Sequence, residues 1–417
     1  MMHKLLEDLI IYEDGEYYLG INDKSEAIDL IKRVVALAYE HGFSGNIWHS
    51  YVAYYIAMAE NPFSLSQENR NEFVGGSLKR MAEQDLAVLK SIFDYDFYLE
   101  EEEMGVTSFP LLWDYEGSQK SESDLGRCIE NLKAELEKTE DNEGFAKVVT
   151  EFYAKEGAGQ LGLSKAFVVK TEGDWYELEP IKILETISLD DLIGYQVQKE
   201  KLIANTEAFI EKKPANNVLL YGDGGTGKST SVRAVANKYS NKGLRMIQVY
   251  RHQMQHLNQI ISQIKNRNYR FILYMDDLSF EDFETEYKYL KAVIEGGLAP
   301  RPENVVIYAT SNRRHLIKET WKDRADLVQD GDMHQSDSKE EKLSLAERFG
   351  IQIYYGKPSI DEFHNIVEAL AERENLKTDK ETLHKEATKW EIRHGGVSGR
   401  SARQFIDYIK GTEEDIK

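Results

Sequence analysis

Cysteine is nearly missing from this sequence: Cys128 is the only one among 417 residues. One thiol excludes an intrachain disulfide and any zinc site built from several thiolates of one chain. Proline is scarce too, at 7 residues, while 41% of the chain is apolar and 11% aromatic. That balance belongs to a chain that buries a core, not to a disordered one. No stretch approaches the roughly 20 uninterrupted apolar residues of a membrane-spanning helix, and Met1 to Asp8 carry acids where a secretory signal carries an apolar run. The expectation is a cytoplasmic protein without a membrane partner. Basic residues are what the first part lacks. Up to Pro180 there are 16 Lys+Arg against 36 Asp+Glu, and 36 against 37 beyond it, so the net charge of -21 resides almost wholly in the first part. Such a surface repels phosphate backbones, which disfavours non-specific nucleic-acid binding there. Solubility is the plain consequence, and a basic protein partner the sharper one.

A length of 417 residues implies two or three domains. Between Leu9 and Leu19 two short apolar and aromatic runs flank Asp14-Gly15, a hairpin signal. Helical spacing follows over Glu26–Tyr39, Ile47–Met58, Asn71–Ile92 and Leu125–Glu137, with a solvated turn expected at Glu100–Glu103 and a loop at Gly117–Asp124. Residues 1–180 are therefore predicted to form an acidic, mostly helical domain. After Pro180 short apolar runs alternate with helical stretches: Val218–Tyr221, Arg245–Tyr250, Phe271–Met275, Val305–Ala309 and Ile351–Tyr355. This alternation predicts an α/β domain over 181–357, a five-stranded parallel sheet covered by helices. Residues 358–417 contain only helical patterns and are predicted to form a small lid.

The chemistry begins at Gly222, Asp223, Gly224, Gly225, Thr226, Gly227, Lys228 and Ser229, followed by Thr230. This Walker A pattern follows an apolar strand and opens a helix, the setting in which it has structural meaning. The glycines let backbone N–H groups turn inward around phosphate oxygens at the positive end of the following helix. Lys228 is placed to bind the β- and γ-phosphates, and the Ser229 hydroxyl to complete the shell of Mg2+. The strand Phe271–Met275 then ends in Asp276 and Asp277, which resembles a Walker B motif. Asp276 would hold the magnesium and Asp277 would orient or deprotonate the attacking water. Asp277 stands where many relatives have Glu, one methylene longer, so either the water sits closer or turnover is slow; Glu281 is a substitute base.

Further elements resemble the AAA+ class of P-loop ATPases. Ser188 to Tyr195 is similar to the segment over adenine, with Ile193, Gly194 and Tyr195 nearest the base. Val305 to Asn312 resembles the sensor-1 strand, with Asn312 preferred over Thr310 and Ser311. Ser344 to Gly350 resembles the box that carries an arginine finger, which singles out Arg348. Gly396 to Phe405 resembles the sensor-2 helix, with Arg403 preferred and Arg400 second. The resemblance covers Thr186 to Ile409. Longer strings, among them Asn216–Gly222, Tyr308–Leu316 and Glu341–Phe349, resemble an uncharacterised bacterial family of AAA+ ATP-binding proteins.

The resemblance implies ATP and Mg2+ as cofactors, a homo-oligomer in which Arg348 reaches a neighbour's nucleotide, and work on an unidentified macromolecular partner held through the acidic domain. Two alternatives stand beside it: an ATP-dependent switch that hydrolyses slowly or not at all, and a DNA-associated loader, which the acidic first part disfavours. His252 and His256 share a helical spacing without the Glu of a zinc hydrolase and are read as surface histidines. The polar segment 321–340 is read as a mobile loop, or as a subunit-contact loop beside Arg348.

Overall fold

The computed structural model describes residues 10–13, 16–21, 23–69, 76–117, 124–173, 175–181, 187–280, 286–295, 302–312 and 345–412. They divide into two compact units, Met1–Lys165 and Ala166–Lys417. Among the described residues no helix is long and apolar enough to cross a membrane.

In the first unit β1 (Ile10–Glu13) and β2 (Glu16–Leu19) pair antiparallel, Glu13 opposite Glu16. Their Asp14-Gly15 turn lies outside the described residues. The remainder is helical. The helix Ile47–Met58 carries few polar groups on any side and buries Trp48, Tyr51, Val52 and Ile56, so it forms the centre. Around it pack Lys24–His41, Gly76–Phe93, Asp124–Leu136 and Asn142–Lys155. Polar atoms that enter this core are paired: Trp48 Nε1 donates to the Ile92 carbonyl at 2.8 Å, and Tyr153 OH to the Ile56 carbonyl at 2.6 Å. Asp23, Asn46, Asn61 and Asp141 start four helices by accepting first-turn N–H groups, each cap stabilising by about 1 kcal/mol. The expected turn at Glu100–Glu103 is instead part of a helix, Tyr98–Met104. Glutamate is a good helix former, and the Asp96 side chain accepts the Tyr98 N–H at its start.

The second unit is built on a seven-stranded sheet. Its strands are β3 (Ala166–Glu172), β4 (Trp175–Pro180), β5 (Val218–Gly222), β6 (Leu244–Gln248), β7 (Arg270–Met275), β8 (Val305–Ser311) and β9 (Ile351–Tyr355). They lie in the order β4-β3-β6-β7-β8-β5-β9, parallel throughout except for β3 against β4. The five predicted strands are all present, and a hairpin extends them from five to seven. By charge alone, residues 166–180 group with the acidic domain. That charge reports only the solvent side: Lys170, Glu172 and Glu177 are exposed, while Ala166, Phe167, Val169 and Leu178 are buried. The apolar half of the hairpin decides where it packs, and β3 joins β6.

Val218, Leu220, Ile272, Tyr274, Val306, Tyr308, Ile353 and Tyr355 form one face of the sheet, against Leu202 and Phe209 of the helix Gln196–Ile210 and Val232 and Val235 of Lys228–Tyr239. The alternate residues Leu219, Phe271, Leu273, Val305 and Ile307 are equally buried, as a sheet covered on both faces requires. The helices Ile360–Arg373, Lys380–His394 and Gly399–Thr412 surround a core of their own, with Phe363, Val367, Leu383, Phe405 and Ile406 at its centre. The phosphate-loop strand β5, the sensor strand β8 beside it, the acid-bearing strand β7 beyond and a three-helix lid are the P-loop AAA+ arrangement that the motifs resemble.

Candidate nucleotide site

The phosphate loop leaves β5 at Gly222, where φ is 132° and a Cβ would stand 2.1 Å from the Tyr355 carbonyl oxygen. Only glycine fits there, and the Asp223 N–H donates to that same oxygen at 3.0 Å. The loop is thereby pinned to β9. It closes at Gly227, with φ 90° and Leu192 Cδ1 2.1 Å from where a Cβ would be. From there the helix Lys228–Tyr239 begins. Lys228 is only 6% exposed. Its ammonium donates to the Gly222 carbonyl at 3.0 Å, the Asp223 carbonyl at 2.6 Å and Asn312 Oδ1 at 3.0 Å. Burial lowers its pKa, opposed by the nearby charges of Asp223, Asp277 and Asp276. All three direct acceptors are neutral, so no carboxylate is in contact with the ammonium to displace before it can meet a phosphate.

Facing it, β7 ends in the two acids. Asp276 Oδ1 accepts from the Ser229 hydroxyl and from the Thr310 hydroxyl, both at 2.6 Å, with the Arg233 guanidinium 3.9 Å from the other oxygen. Burial works to raise its pKa, but the hydroxyls of Ser229, Thr310 and Tyr274 and the Arg233 charge together outweigh it and the pKa is lowered. Asp277 adopts a left-handed φ of 50°. Its N–H donates to Thr310 Oγ1 at 2.9 Å, and its carboxylate accepts from Asn312 Nδ2 at 2.8 Å. One chain of hydrogen bonds thus runs from Lys228 through Asn312 to Asp277. Thr310, set aside in favour of Asn312, holds both acids. The two lie two positions apart at the tip of β8, so the period-two alternation of a strand puts them on one side.

A cavity of about 1080 Å³ gathers most of the predicted residues: Gly224, Gly225, Thr226, Gly227, Lys228, Ser229 and Thr230 of the loop, Asp276, Asp277 and Asn312 of the strands, Ile193 and Tyr195 ahead of the loop, and Arg400 and Arg403 of the lid. Leu192, inside the predicted adenine segment, and Ile187, Ile366 and Leu370, which the motifs did not single out, give it apolar walls. Gly222, Asp223, Gly194 and Arg348 do not line it. The Asp223 carboxylate accepts the Lys357 N–H at 3.1 Å, at the start of the lid. Tyr195 stacks on Tyr355 and donates to the Gly356 carbonyl at 2.8 Å, a brace as well as a wall. The Arg400 N–H donates to the Gly225 carbonyl at 3.1 Å, joining lid to loop. Arg403 pairs with Glu374 at 3.1 Å, and Arg373 with Asp191 at 2.9 Å. Arg348 is ion-paired with Glu295.

A hydroxyl and a carboxylate are hard oxygen donors of the kind Mg2+ takes alongside phosphate and water, and Ser229 and Asp276 are in direct contact, so they fit that ion. Among the described residues no group of three or more His, Cys, Asp or Glu could hold a metal by itself. His256, read as a surface residue, is buried and bonded to Gln259, while His252 stacks on Tyr250. The short 3-10 helix Arg251–His256 has three residues per turn, which turns the two rings to different environments. Glu281 and segment 321–340 lie outside the described residues.

Residues 163–413 match a family described as "Protein of unknown function (DUF815)". No curated protein matches the chain. Among solved structures, a mutant of Thermotoga maritima RuvB is similar at 17% identity and a TM-score of 0.40, over 55% of this chain and 67% of that one. The RuvB Holliday junction branch migration motor of the same organism is similar at 16% and 0.33, over 54% and 73%. AMPPCP-bound DnaA from Aquifex aeolicus is similar at 18% and 0.36, over 56% and 68%.

Proposed function

The chain belongs to the DUF815 family, and from that premise we propose that it is an ATPase that uses Mg-ATP to drive a conformational change on a macromolecular partner. The observation that carries this is the convergence of Lys228, Ser229, Asp276, Asp277 and Asn312 on one cavity, linked by hydrogen bonds of 2.6–3.0 Å. Backbone N–H groups of the loop and the Lys228 ammonium take the β- and γ-phosphates. Ser229 and Asp276 hold Mg2+, which when bound neutralises charge on the phosphate oxygens. Asn312 and Asp277 position a water in line with the γ-phosphorus; the water's oxygen forms the new bond, the bond to the bridging oxygen breaks, and the proton passes to the Asp277 carboxylate. The apolar walls at Ile187, Leu192, Ile193 and Ile366 receive the base.

Arg348 stays outside the cavity of its own chain and pairs with Glu295. That supports a role across a subunit boundary, where an always-charged planar guanidinium spreads phosphate charge. A head-to-tail ring or open helix then follows. Arg403 links the lid to the phosphates once it leaves Glu374. The acidic first unit is the surface offered to a protein partner.

A second reading, a switch that binds ATP and hardly hydrolyses it, is favoured by one observation: the short Asp277 side chain is engaged by Asn312 on a left-handed backbone and must be released before it can meet water. Nucleotide binding and phosphate release by wild type, Lys228→Ala and Asp277→Asn separate the possibilities. Tight ATP binding lost in Lys228→Ala, with turnover lost in Asp277→Asn, supports the ATPase. Binding with negligible turnover in the wild type supports the switch, and normal binding by Lys228→Ala rejects both.

A further inference from the structure

We propose that the Tyr274 hydroxyl is a positioning donor for the metal end of this site, fixing Asp276 toward a divalent cation bound with the phosphates; this rests on the nucleotide reading above.

Four tyrosines are buried in the core between the sheet and its covering helices: Tyr239, Tyr274, Tyr308 and Tyr355. Three have hydroxyl partners inside it. Tyr239 donates to Glu207 at 2.6 Å, Tyr308 bonds Thr206 at 2.8 Å, and Tyr355 donates to Ser231 at 2.9 Å. Tyr274 is 0% exposed, and its oxygen has no partner at hydrogen-bonding geometry among the described residues. A buried phenol left in that state is costly, so what stands beside it matters. Asp276 follows the last residue of β7, two positions after Tyr274. Tyr274 packs in one core with Val232 and Val235 of the helix Lys228–Tyr239, whose first turn carries Ser229, and Ser229 donates to Asp276 at 2.6 Å. The Tyr274 hydroxyl interacts with both Ser229 and Asp276 without reaching full hydrogen-bond geometry to either.

The core thus directs one unpaired donor at the two residues that fit Mg2+. In the structure Asp276 Oδ1 takes both Ser229 and Thr310. With a divalent cation held by Ser229 and Asp276, the Tyr274 phenol, which keeps its proton at neutral pH, would donate to the Asp276 carboxylate and fix its orientation. The hydroxyl lacks a well-formed partner in this structure and would gain one with the cation bound, which favours the cation-bound state.

The test compares the full chain with Tyr274→Phe, which keeps the ring and removes only the oxygen. Binding of mant-ADP is followed with EDTA and across a Mg2+ titration, and thermal unfolding is recorded in EDTA without nucleotide. The expected result is unchanged mant-ADP affinity in EDTA, about three- to tenfold more Mg2+ needed for half-maximal tightening, and an unfolding midpoint that is unchanged or raised by about 1–4 °C. An unaltered Mg2+ requirement overturns the proposal. So does a lowered midpoint in EDTA or an equal loss of affinity without Mg2+, since each marks a hydroxyl that serves the fold alone. Wild-type protein that fails to bind mant-ADP takes down the nucleotide reading and the proposal together, whereas a normal wild type beside a normal Tyr274→Phe removes only the latter.

Discussion

At the scale of single residues, Thr310 shows how little chemistry separates a structural strand tip from a catalytic one. Its one hydroxyl gives its proton to Asp276 and receives the Asp277 N–H, at 2.6 and 2.9 Å. Thr310→Val keeps the shape and deletes both bonds. Losing two hydrogen bonds worth about 1 kcal/mol each predicts a fall in kcat of about 10- to 100-fold, measured as steady-state phosphate release; an unchanged kcat contradicts the role. The pH dependence follows with a definite sign. The Asp276 carboxyl is held below its ordinary value, so its stabilisation is complete above the unfolded value and is lost as pH falls through the lower folded value. Removing the Thr310 hydroxyl raises that folded value, and acid unfolding of Thr310→Val is expected to begin at a higher pH. Lys228, Ser229 and the acid pair were legible because their spacing is fixed by the phosphates and metal they would serve. Thr310 was not, because a threonine in a strand is an ordinary strand former and its second task appears only when β7 and β8 lie side by side.

At the scale of elements, the join between β5 and the phosphate loop is the tightest point of the fold. Gly222→Ala places a methyl 2.1 Å from the Tyr355 carbonyl at a φ of 132°, so β9 must move or the loop must refold. The expected cost is about 3 kcal/mol or more, read as a lowered unfolding midpoint with loss of nucleotide binding; wild-type stability contradicts it. In the first unit, His49 lies flat on Phe93 with ring centroids 3.9 Å apart. Burial lowers its pKa, against Glu137, which raises it. A histidine whose folded value is depressed costs stability as pH falls below the unfolded value of about 6.5. The unfolding midpoint of the first unit is expected to drop between about pH 7.5 and about pH 5.5, with a shallower drop in His49→Gln; equal slopes contradict this. Four of the five predicted strands were legible as largely apolar runs, as strands buried on both faces are; β9 lies at the sheet edge with Gln352 and Tyr354 exposed, and its β-branched and aromatic residues made it legible. The edge hairpin Ala166–Pro180 was not, since most of its exposed residues are charged and only Ala166, Phe167, Val169 and Leu178 are buried, and the short acidic helix Tyr98–Met104 offers no apolar stripe to read.

At the scale of the whole molecule, charge is divided between an acidic, mostly helical first unit and a near-neutral second unit that carries the candidate nucleotide site. Its signature was visible in composition, but the boundary at Pro180 was drawn where charge changes, while the compact units divide at Lys165, where packing changes. The proposed oligomer rests on Arg348, which pairs with Glu295 and does not line its own chain's cavity. Steady-state phosphate release from ATP, measured over a wide range of protein concentration for wild type, Asp277→Asn and Arg348→Ala, tests the central claim most directly. The predicted result is a turnover per chain that rises with concentration to a plateau in the wild type and is lost in both variants. Turnover that is independent of concentration and survives in Arg348→Ala contradicts the trans-acting arginine, and turnover that survives in Asp277→Asn contradicts the site itself.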